Sequence, residues 1–296
     1  MKSVNVSVVV PCYNCGNEAN KAIESVLNQS MQDFEILLIN DGSTDDTEDH
    51  LKALAETDER IQFFTQKNMG PAGARNHGCR VAQGEWIAFL DHDDTWESEK
   101  LAMQLAAAHK HKADIVFTTV QNIDPADRVA EARIAPSVQD SQETVYQELL
   151  HENFITLSST LVRLESLKQV GLFTESWCGV EDWALWLKLA EQGSRFYGID
   201  EPLVNYYWME SSLSKQHDSM QEQRQALVAE SLATSAGQRL GLIERQKIKS
   251  SERQCSAWFA AGSSWASSAR MYCQAVIAWP FQVNAWKGLV KSLLRR

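Results

Sequence analysis

The amino-acid sequence predicts an α/β protein with a doubly wound sheet, followed by an α-helical C-terminal extension. Two observations carry this prediction. In the first 95 residues, short runs of β-branched and aromatic residues alternate with segments whose apolar residues have helical spacing. After about residue 220, the chain becomes rich in Ala, Ser, Gln and Trp, and its apolar residues follow a helical pattern.

The predicted strands are short apolar runs that end at turn residues, as buried parallel strands do. They cover residues 7–10, 34–39, 61–64, 85–90 and 115–120. Apolar residues spaced three or four apart predict helices over residues 17–28, 47–55, 70–82 and 179–192. The polar, Pro-containing segment 124–142 is predicted to be a loop.

The C-terminal extension is predicted to contain four helices, over residues 221–240, 251–264, 265–278 and 282–294. The change in composition places a domain boundary between residues 220 and 221. Within the first domain we expect two halves, residues 1–95 and 96–220.

The charge of the chain is unevenly distributed. There are 28 Lys and Arg against 39 Asp and Glu, a formal net charge of −11. The acidic excess lies in residues 1–220 and argues against nucleic acid as a partner, whereas the basic excess in residues 221–296 suits an anionic surface.

No apolar run reaches the ~18 residues of a membrane span, and no signal-peptide pattern begins the sequence, so we expect a cytoplasmic protein. The sequence leaves an oligomer open.

Polar clusters follow three of the predicted strands, at the point where each strand ends. They are Pro11–Asn14, Asn40–Ser43 and Asp91–Asp94. The carboxyl ends of parallel strands share one edge, which is where doubly wound sheets bind their ligands. Turn formation explains any one of these clusters, but it explains the coincidence of three less well.

Three segments carry residues suited to chemistry, and each also has a structural explanation. The carboxylates in Asp91–Asp94 repel one another, so they either surround a cation such as Mg²⁺ or Mn²⁺ or form a solvated turn. Glu181 and Asp182 open a predicted helix, where acids favour the helix dipole and where one can serve as a general base. The Gly-rich turn before Arg75 either faces a diphosphate or starts a surface helix.

The sequence lacks the P-loop, dinucleotide-binding, zinc-protease and serine-esterase motifs. Taken together, five segments in order resemble the family 2 glycosyltransferases. They are VSVVVPCYN (6–14), DFEILLINDGSTDDT (33–47), NMGPAGARNHG (68–78), GEWIAFLDHDD (84–94) and GLFTESWCGVEDWALWLKLA (171–190). The resemblance covers about residues 4–215. It implies a GT-A fold, a mixed sheet flanked by helices, with nucleotide-binding and acceptor-binding halves.

The resemblance implies an inverting transferase that moves a hexosyl or N-acetylhexosaminyl group from a nucleotide-diphosphate sugar to a hydroxyl of a glycan or lipid-linked glycan. UDP-sugar is the expected donor, and synthesis of cell-surface polysaccharide, lipopolysaccharide or a glycoconjugate is the expected role. The residues implied to bind the nucleotide sugar are Pro11, Tyr13, Asn14, Asp41, Ser43, Asn68, Gly70, Arg75, Asp91 and His92. Those implied to shape the acceptor side are Trp177 and Trp183.

The same resemblance assigns the metal and the base. Asp91-His92-Asp93 is similar to the DxD motif of the family, in which Asp93, together with Asp91, would bind Mn²⁺ or Mg²⁺. Asp182 matches the position of the general base, and Glu181 is the alternative.

One departure from the family pattern lies in the loop after the base helix. Tyr207 and Met209 replace the Arg and His that often follow the base helix, and His217 is a candidate substitute. Two other functions remain as alternatives, a catalytically inactive sugar-nucleotide-binding protein and a nucleotidyltransferase. The intact Asp93 and Asp182 weigh against the first, and the lack of a basic Gly-rich loop after the first strand weighs against the second.

The last predicted helix, residues 282–294, is amphipathic. Its apolar residues are Val283, Trp286, Leu289, Val290 and Leu293. Packing on the catalytic domain, with the lysines in water, is the favoured interpretation. The alternative is peripheral contact with anionic lipid at the inner face of the membrane.

Overall fold

Four parallel strands form the N-terminal half of a mixed sheet. In chain order they are β1 (Val6–Cys12), β2 (Phe34–Asn40), β3 (Ile61–Thr65) and β4 (Trp86–Phe89). Their spatial order is β3-β2-β1-β4, with β1 paired to both β2 and β4. Every residue of β1, β2 and β4 is buried, as expected for a sheet covered by helices on both faces.

The computed structural model describes residues 4–124, 129–133, 142–207, 217–260 and 265–294. Within these residues the sheet has nine strands, and its second half is mixed in direction. The remaining strands are β5 (Thr95–Trp96), β6 (Ile115–Ile123), β7 (Val129–Arg133), β8 (Leu161–Arg163) and β9 (Phe196–Tyr207). β8 is antiparallel to both β4 and β6, and β9 is parallel to β6. β5 is antiparallel to β9, and β7 is antiparallel to β6.

Helices connect the strands. Those that precede β9 are α1 (Ala19–Leu27), α2 (Thr47–Ala55), α3 (Gly70–Val81), α4 (Lys100–His111), α5 (Gln142–His151), α6 (Leu164–Gln169) and α7 (Glu181–Glu191). Those that follow it are α8 (His217–Ala233), α9 (Ser235–Arg239), α10 (Leu242–Ala260), α11 (Trp265–Ala278) and α12 (Val283–Leu293). The mixed sheet flanked by helices and the C-terminal helices confirm the predicted fold class.

The chain forms two compact units. One comprises Met1–Tyr146 with Asn153–Ser212, and the other comprises Gln147–Glu152 with Leu213–Arg296. The short segment in the second unit could not be foreseen from composition, because it belongs to the end of α5. No helix within the described residues is both long and apolar enough to cross a membrane.

Several element boundaries differ from the prediction. β1 continues through Pro11, which pairs with Ile39 of β2. β4 pairs only with the first part of β1, so the absence of an N–H at Pro11 costs no ladder bond on that side. Part of the predicted loop 124–142 is strand β7, whereas residues 125–128 and 134–141 lie outside the described residues.

The C-terminal helices also differ in their ends. The predicted helix 221–240 is interrupted at Thr234, whose backbone is extended and whose side chain accepts a hydrogen bond from Gly237 N as the N-cap of α9. α10 begins at Leu242, well before the predicted start at residue 251. Residues 261–264, at the end of that predicted helix, lie outside the described residues.

Helix α3 approaches β1 closely through a glycine. A Cβ added at Gly78 would lie 2.4 Å from Cγ1 of Val9, which is closer than any real contact. Because Val9 belongs to a fully buried central strand, it has no room to move away. Gly78 therefore sets the distance between the helix that carries Arg75 and the sheet.

We expect Gly78→Ala to lower the free energy of unfolding by about 1–3 kcal/mol, because the added methyl overpacks the contact with Val9. Urea unfolding of the full chain measures the change. Gly241→Ala is the matched control, since a Cβ at Gly241 meets open space and the backbone there needs no glycine. Equal unfolding midpoints for the two variants would contradict the close contact.

Candidate active site

The loops after β1 and β2 are joined by hydrogen bonds. Asn14 N donates to Ser43 Oγ at 3.0 Å, and Asn14 Oδ1 accepts from Thr44 N at 2.8 Å. Asn14 has a φ of +48°, a left-handed conformation that Asn tolerates better than most residues. Tyr13, beside it, is 47% exposed. The first two predicted polar clusters thus meet at one edge of the sheet.

Asp41 is buried at this edge. Its Oδ1 accepts hydrogen bonds from Gln66 Nε2 at 2.7 Å and from Met69 N at 2.9 Å. Gly42 has a φ of +70°, and a Cβ there would lie 2.7 Å from Asn68 N. Only glycine therefore lets the loop after β2 approach the loop after β3 this closely. The carboxylate is therefore held in place before any ligand arrives.

Three of the predicted nucleotide-binding residues have structural roles. Pro11 is buried within β1, so it does not offer the exposed surface expected of a residue that lines a nucleobase pocket. Asn68 Oδ1 accepts from Gly70 N at 3.2 Å, and Gly70 has a φ of +74° at the first position of α3. Asn68 and Gly70 shape the turn that begins α3.

Arg75 joins two acidic segments of the site. Its Nη1 donates to Glu181 Oε1 at 2.9 Å, and its Nη2 donates to Asp91 Oδ1 at 2.8 Å. The Arg75 side chain is 7% exposed. Burial by itself lowers the pKa of Arg75, but the charges of Asp91 and Glu181 outweigh it and hold the pKa above its usual value. The guanidinium is thus the link between the end of β4 and the start of α7.

Asn76 supports this arrangement from the next position of α3. Its Nδ2 donates to Phe173 O at 3.0 Å, and its Oδ1 accepts from Phe173 N at 2.9 Å. Phe173 in turn lies under the Arg75 guanidinium, 5.9 Å from it, and packs edge-on against Phe89 of β4. Arg75 and Asn76 are consecutive residues of α3. Together they attach this helix to the acidic segment after β4, to the start of α7 and to Phe173.

The acidic segment after β4 contains carboxylates in three different environments. Asp91 is paired with Arg75. Burial raises the pKa of Asp93, and the charge of Asp91 raises it further. Asp94 is fully buried, and burial followed by the charges of Asp91 and Asp93 raises its pKa well above the usual value. His92, between them, is partly exposed.

The oxygen atoms of this segment fit a divalent cation. Asp94 Oδ2 is buried without a hydrogen-bond partner among the described residues, and Asp93 is disfavoured as an unneutralised anion. Among all the residues that the structure describes, no cluster of three or more His, Cys, Asp or Glu side chains is arranged to hold a metal by itself. Mg²⁺ commonly takes one or two carboxylates and completes its shell with substrate phosphates and water, so the residues present suit a cation that binds with a diphosphate.

A buried polar network lies behind the acidic segment, and sequence reasoning missed it. Ser158 Oγ accepts from Asp91 N at 3.2 Å, and Ser158 O accepts from Trp96 Nε1 at 2.9 Å. Lys100 Nζ lies 3.8 Å from the Trp96 ring centroid and donates to Gln104 Oε1 at 2.8 Å. Gln104 Nε2 completes the network by donating to Ser159 O at 2.8 Å.

The network holds the short turn at residues 157–159 against the start of the acidic segment. Burial lowers the pKa of Lys100 well below its usual value. Lys100 and Gln104 lie one turn apart on α4, but this helical spacing gives no hint that a lysine and a glutamine would be fully buried.

The two acids at the start of α7 differ in environment. Glu181 is buried against Arg75, and its Oε2 has no partner within the part of the chain that the structure describes. Asp182 is partly exposed; its Oδ2 accepts from Asn153 Nδ2 at 3.1 Å and its Oδ1 from Trp183 N at 2.6 Å. Its partial burial, followed by the charge of Glu181, raises the pKa of Asp182 to about 6. Asp182 therefore combines access with a pKa near neutrality, which suits a general base.

The predicted acceptor-side residues separate. Trp177 is partly exposed before α7, whereas Trp183 is 2% exposed and packs in the interior. Trp183 therefore differs from the open ring face expected of an acceptor contact. Met209, in the loop that departs from the family pattern, lies outside the described residues, and of His217 only the backbone is described.

Solved structures of TarS from S. aureus share this fold. TarS 1–349 in complex with UDP-GlcNAc matches with a TM-score of 0.69 and 19% sequence identity, covering 97% of this chain and 89% of that chain. The same protein in complex with UDP matches with a TM-score of 0.60 and 18% identity, over 99% and 92% of the two chains. The fold is therefore the GT-A fold of glycosyltransferases.

The family follows from sequence. A family model described as glycosyl transferase family 2 matches residues 7–171, and this chain belongs to that family. TuaG of Bacillus subtilis, named for teichuronic acid biosynthesis, is 31% identical over 214 residues, 71% of this chain and 81% of TuaG. WfgD of Escherichia coli is 31% identical over 190 residues, 64% of this chain and 71% of WfgD.

Other relatives are longer than this chain. An uncharacterized glycosyltransferase of Rickettsia bellii is 35% identical over 192 residues, which are 65% of this chain and 27% of that protein. A Rickettsia felis relative is 36% identical over 203 residues, 69% of this chain and 33% of that protein. The chain thus matches a third or less of the length of these relatives.

We expect Arg75→Met to lower the free energy of unfolding by about 3–5 kcal/mol, because it leaves the buried Glu181 carboxylate without its partner. Chemical denaturation at neutral pH and low salt measures the loss. Lys52→Met is the matched control, since it removes an exposed ion pair with Glu48 on α2 and should change stability little. If Arg75→Met were as stable as this control, the ion pairs would have no structural role.

Proposed function

We propose that this chain is an inverting, metal-dependent glycosyltransferase that moves a hexosyl or N-acetylhexosaminyl group from a UDP-sugar to a hydroxyl of a glycan or lipid-linked glycan. The observation that carries the proposal is the pair of links from Arg75 to Asp91 and Glu181. They bring the DxD-like segment beside Asp182, whose pKa is about 6. This proximity supports the proposal that the donor and the general base act at one site.

The relatives support the donor and the acceptor class. The name of WfgD specifies UDP-Glc as donor and a GlcNAc-diphosphoundecaprenol as acceptor. TarS has been crystallised with UDP-GlcNAc, and TuaG is named for teichuronic acid biosynthesis. We infer from these that the chain acts in the synthesis of a cell-surface polysaccharide or a related glycoconjugate.

The nucleobase end of the donor would lie at the loops after β1 and β2. Asp41 uses Oδ1 for its two protein hydrogen bonds, so Oδ2 is the oxygen we assign to the N–H of the base. A carboxylate accepts well from the imide N–H of uracil. Tyr13 offers an exposed ring for stacking, and Asn14 and Ser43 keep the two loops in register.

The diphosphate end would lie at the acidic segment. We assign Asp93, with Asp91 and the buried Asp94 close by in the chain, to Mn²⁺ or Mg²⁺. When bound, the cation would offset the charge that develops on the departing nucleoside diphosphate. Arg75 already holds Asp91, so its role is to orient that carboxylate toward the sugar-phosphate, and His92 is assigned to the same region.

Asp182 would act as the general base. It takes the proton from the acceptor hydroxyl while that oxygen attacks the anomeric carbon on the face opposite the leaving diphosphate, which inverts the configuration. Asn153 donates to Oδ2 and orients the carboxylate. Glu181 is bound to Arg75, so its charge stabilises the guanidinium and raises the pKa of Asp182.

We expect UDP to raise the melting temperature of the chain, and Mn²⁺ to enlarge the shift, because a ligand that binds only the folded state stabilises it. Differential scanning fluorimetry with UDP, GDP, CDP, TDP and ATP, each with and without Mn²⁺, identifies the nucleobase that the donor site prefers. Asp93→Asn should remove the Mn²⁺-dependent part of the shift. An undiminished Mn²⁺ effect in this variant would overturn the metal assignment.

Asp182→Asn should leave the UDP-induced shift unchanged and lower the transfer rate by about 10²–10⁴-fold, because it removes the base. Release of UDP from UDP-Glc or UDP-GlcNAc with a GlcNAc-diphosphate-lipid acceptor measures transfer. The wild-type rate should fall as the pH drops below about 6 and Asp182 becomes protonated, and this acidic limb should be absent from the variant.

Glu165→Gln, which alters an exposed carboxylate on α6, is the control and should retain both the rate and its pH dependence. Full turnover in Asp182→Asn would move the base to Glu181 or elsewhere. A wild-type chain that binds UDP and releases nothing from any donor would instead be the inactive sugar-nucleotide-binding protein.

A further inference from the structure

The two sides of helix α12 have different environments. Ala285, Leu289 and Ser292 are buried, and Ser292 Oγ lies 3.0 Å from Ser268 Oγ of α11. A Cβ at Gly288 would lie 2.2 Å from the Tyr272 ring, so this side of α12 is in close contact with α11. The packing fixes which side of the helix faces outward.

The outward side is apolar. Val283 is 62% exposed, Trp286 48% and Val290 53%, and Leu293 and Leu294 are exposed beside them. At ~100° per residue, these side chains cover an arc of about 100°, and the centre of that arc lies about 140° around the helix from the centre of the packed side. A monomeric soluble protein rarely leaves so many large apolar side chains together in water. We call these five residues the outer face of α12.

Positive charge accompanies the outer face. Lys287 and Lys291 lie one turn apart and line the same surface groove as Val283, Trp286 and Val290. The sequence contains no Asp or Glu after Glu252, whereas Arg and Lys continue to its end. The exposed aromatic ring of Phe281 lies just before the helix. Apolar, aromatic and basic side chains on one exposed side are the composition of helices that lie in a membrane interface.

We propose that the outer face of α12 binds the surface of an anionic phospholipid bilayer. The helix would lie in the plane of the interface, with its apolar side chains among the acyl chains and Lys287 and Lys291 at the anionic headgroups. A second copy of this chain fits less well, because pairing two such faces would bring the lysines of both copies together. Lysine is depleted from protein–protein interfaces.

Lipid binding of this kind is independent of the transferase chemistry proposed above. It would place the chain where a lipid-linked acceptor lies, but it requires only the outer face. A chain without transferase activity would still bind vesicles, and a chain that fails to bind vesicles could still transfer sugar. The two proposals can therefore fail separately.

Cosedimentation of the full chain with sucrose-loaded vesicles tests the proposal. We expect binding to vesicles of phosphatidylcholine with phosphatidylglycerol, much weaker binding to phosphatidylcholine alone, and loss of binding at high salt. Lys287→Gln with Lys291→Gln should reduce the partition coefficient by about 30-fold, since each lysine near an anionic surface contributes about a factor of five. Trp286→Ser with Val290→Ser should reduce it by at least about tenfold.

Leu242→Ser with Ile243→Ser is the matched control, because it removes two exposed apolar side chains that belong to α10 instead. It should bind as the wild type does, and all variants should remain folded at the temperature of the assay. No binding to the anionic vesicles, equal binding to neutral ones, or an equal loss in the control would overturn the proposal. So would concentration-dependent dimerisation, seen by light scattering, that Trp286→Ser with Val290→Ser abolishes while vesicle binding persists.

Discussion

Arg75 keeps a positive charge in the interior of the compact unit that contains the sheet, and the surrounding structure supplies the two negative charges it requires. One guanidinium nitrogen is bound to Asp91 after β4 and another to Glu181 at the start of α7. A buried charge is tolerated only when it is paired and hydrogen-bonded. Glu181 lies 106 residues after Arg75 in the sequence, so this requirement holds distant parts of the chain together.

The same requirement gives neighbouring acids different properties. Glu181 is paired with Arg75, whereas the donors to Asp182 among the described residues, Asn153 and the backbone N–H of Trp183, are neutral. The pKa of Asp182 is therefore raised by burial and by the adjacent charge of Glu181. Two adjacent carboxylates at one helix start can thus have separate roles, one structural and one as the proposed base, in the same way that environment separates paired acids in other enzymes.

Much of this site could be predicted from the sequence because its parts are local. Asp91–Asp94 follows a buried strand and Arg75 follows a Gly-rich turn, and both patterns are visible in a few consecutive residues. Asn153, Ser158, Lys100 and Gln104 could not be found in this way, because nothing in their neighbours marks them. Their positions depend on contacts between residues far apart in sequence, such as Gln104 with Ser159.

Adjacent residues are enough to reveal the alternation of strands and helices, the shared edge of the parallel strands and the family, because periodicity and short motifs are local properties. The accessibility of each side chain depends instead on the tertiary structure. It buried Trp183 and Pro11, left Asp182 within reach of solvent and turned the apolar side of α12 outward. Burial depends on which elements pack together, and helical spacing shows that a face is apolar without showing what covers it.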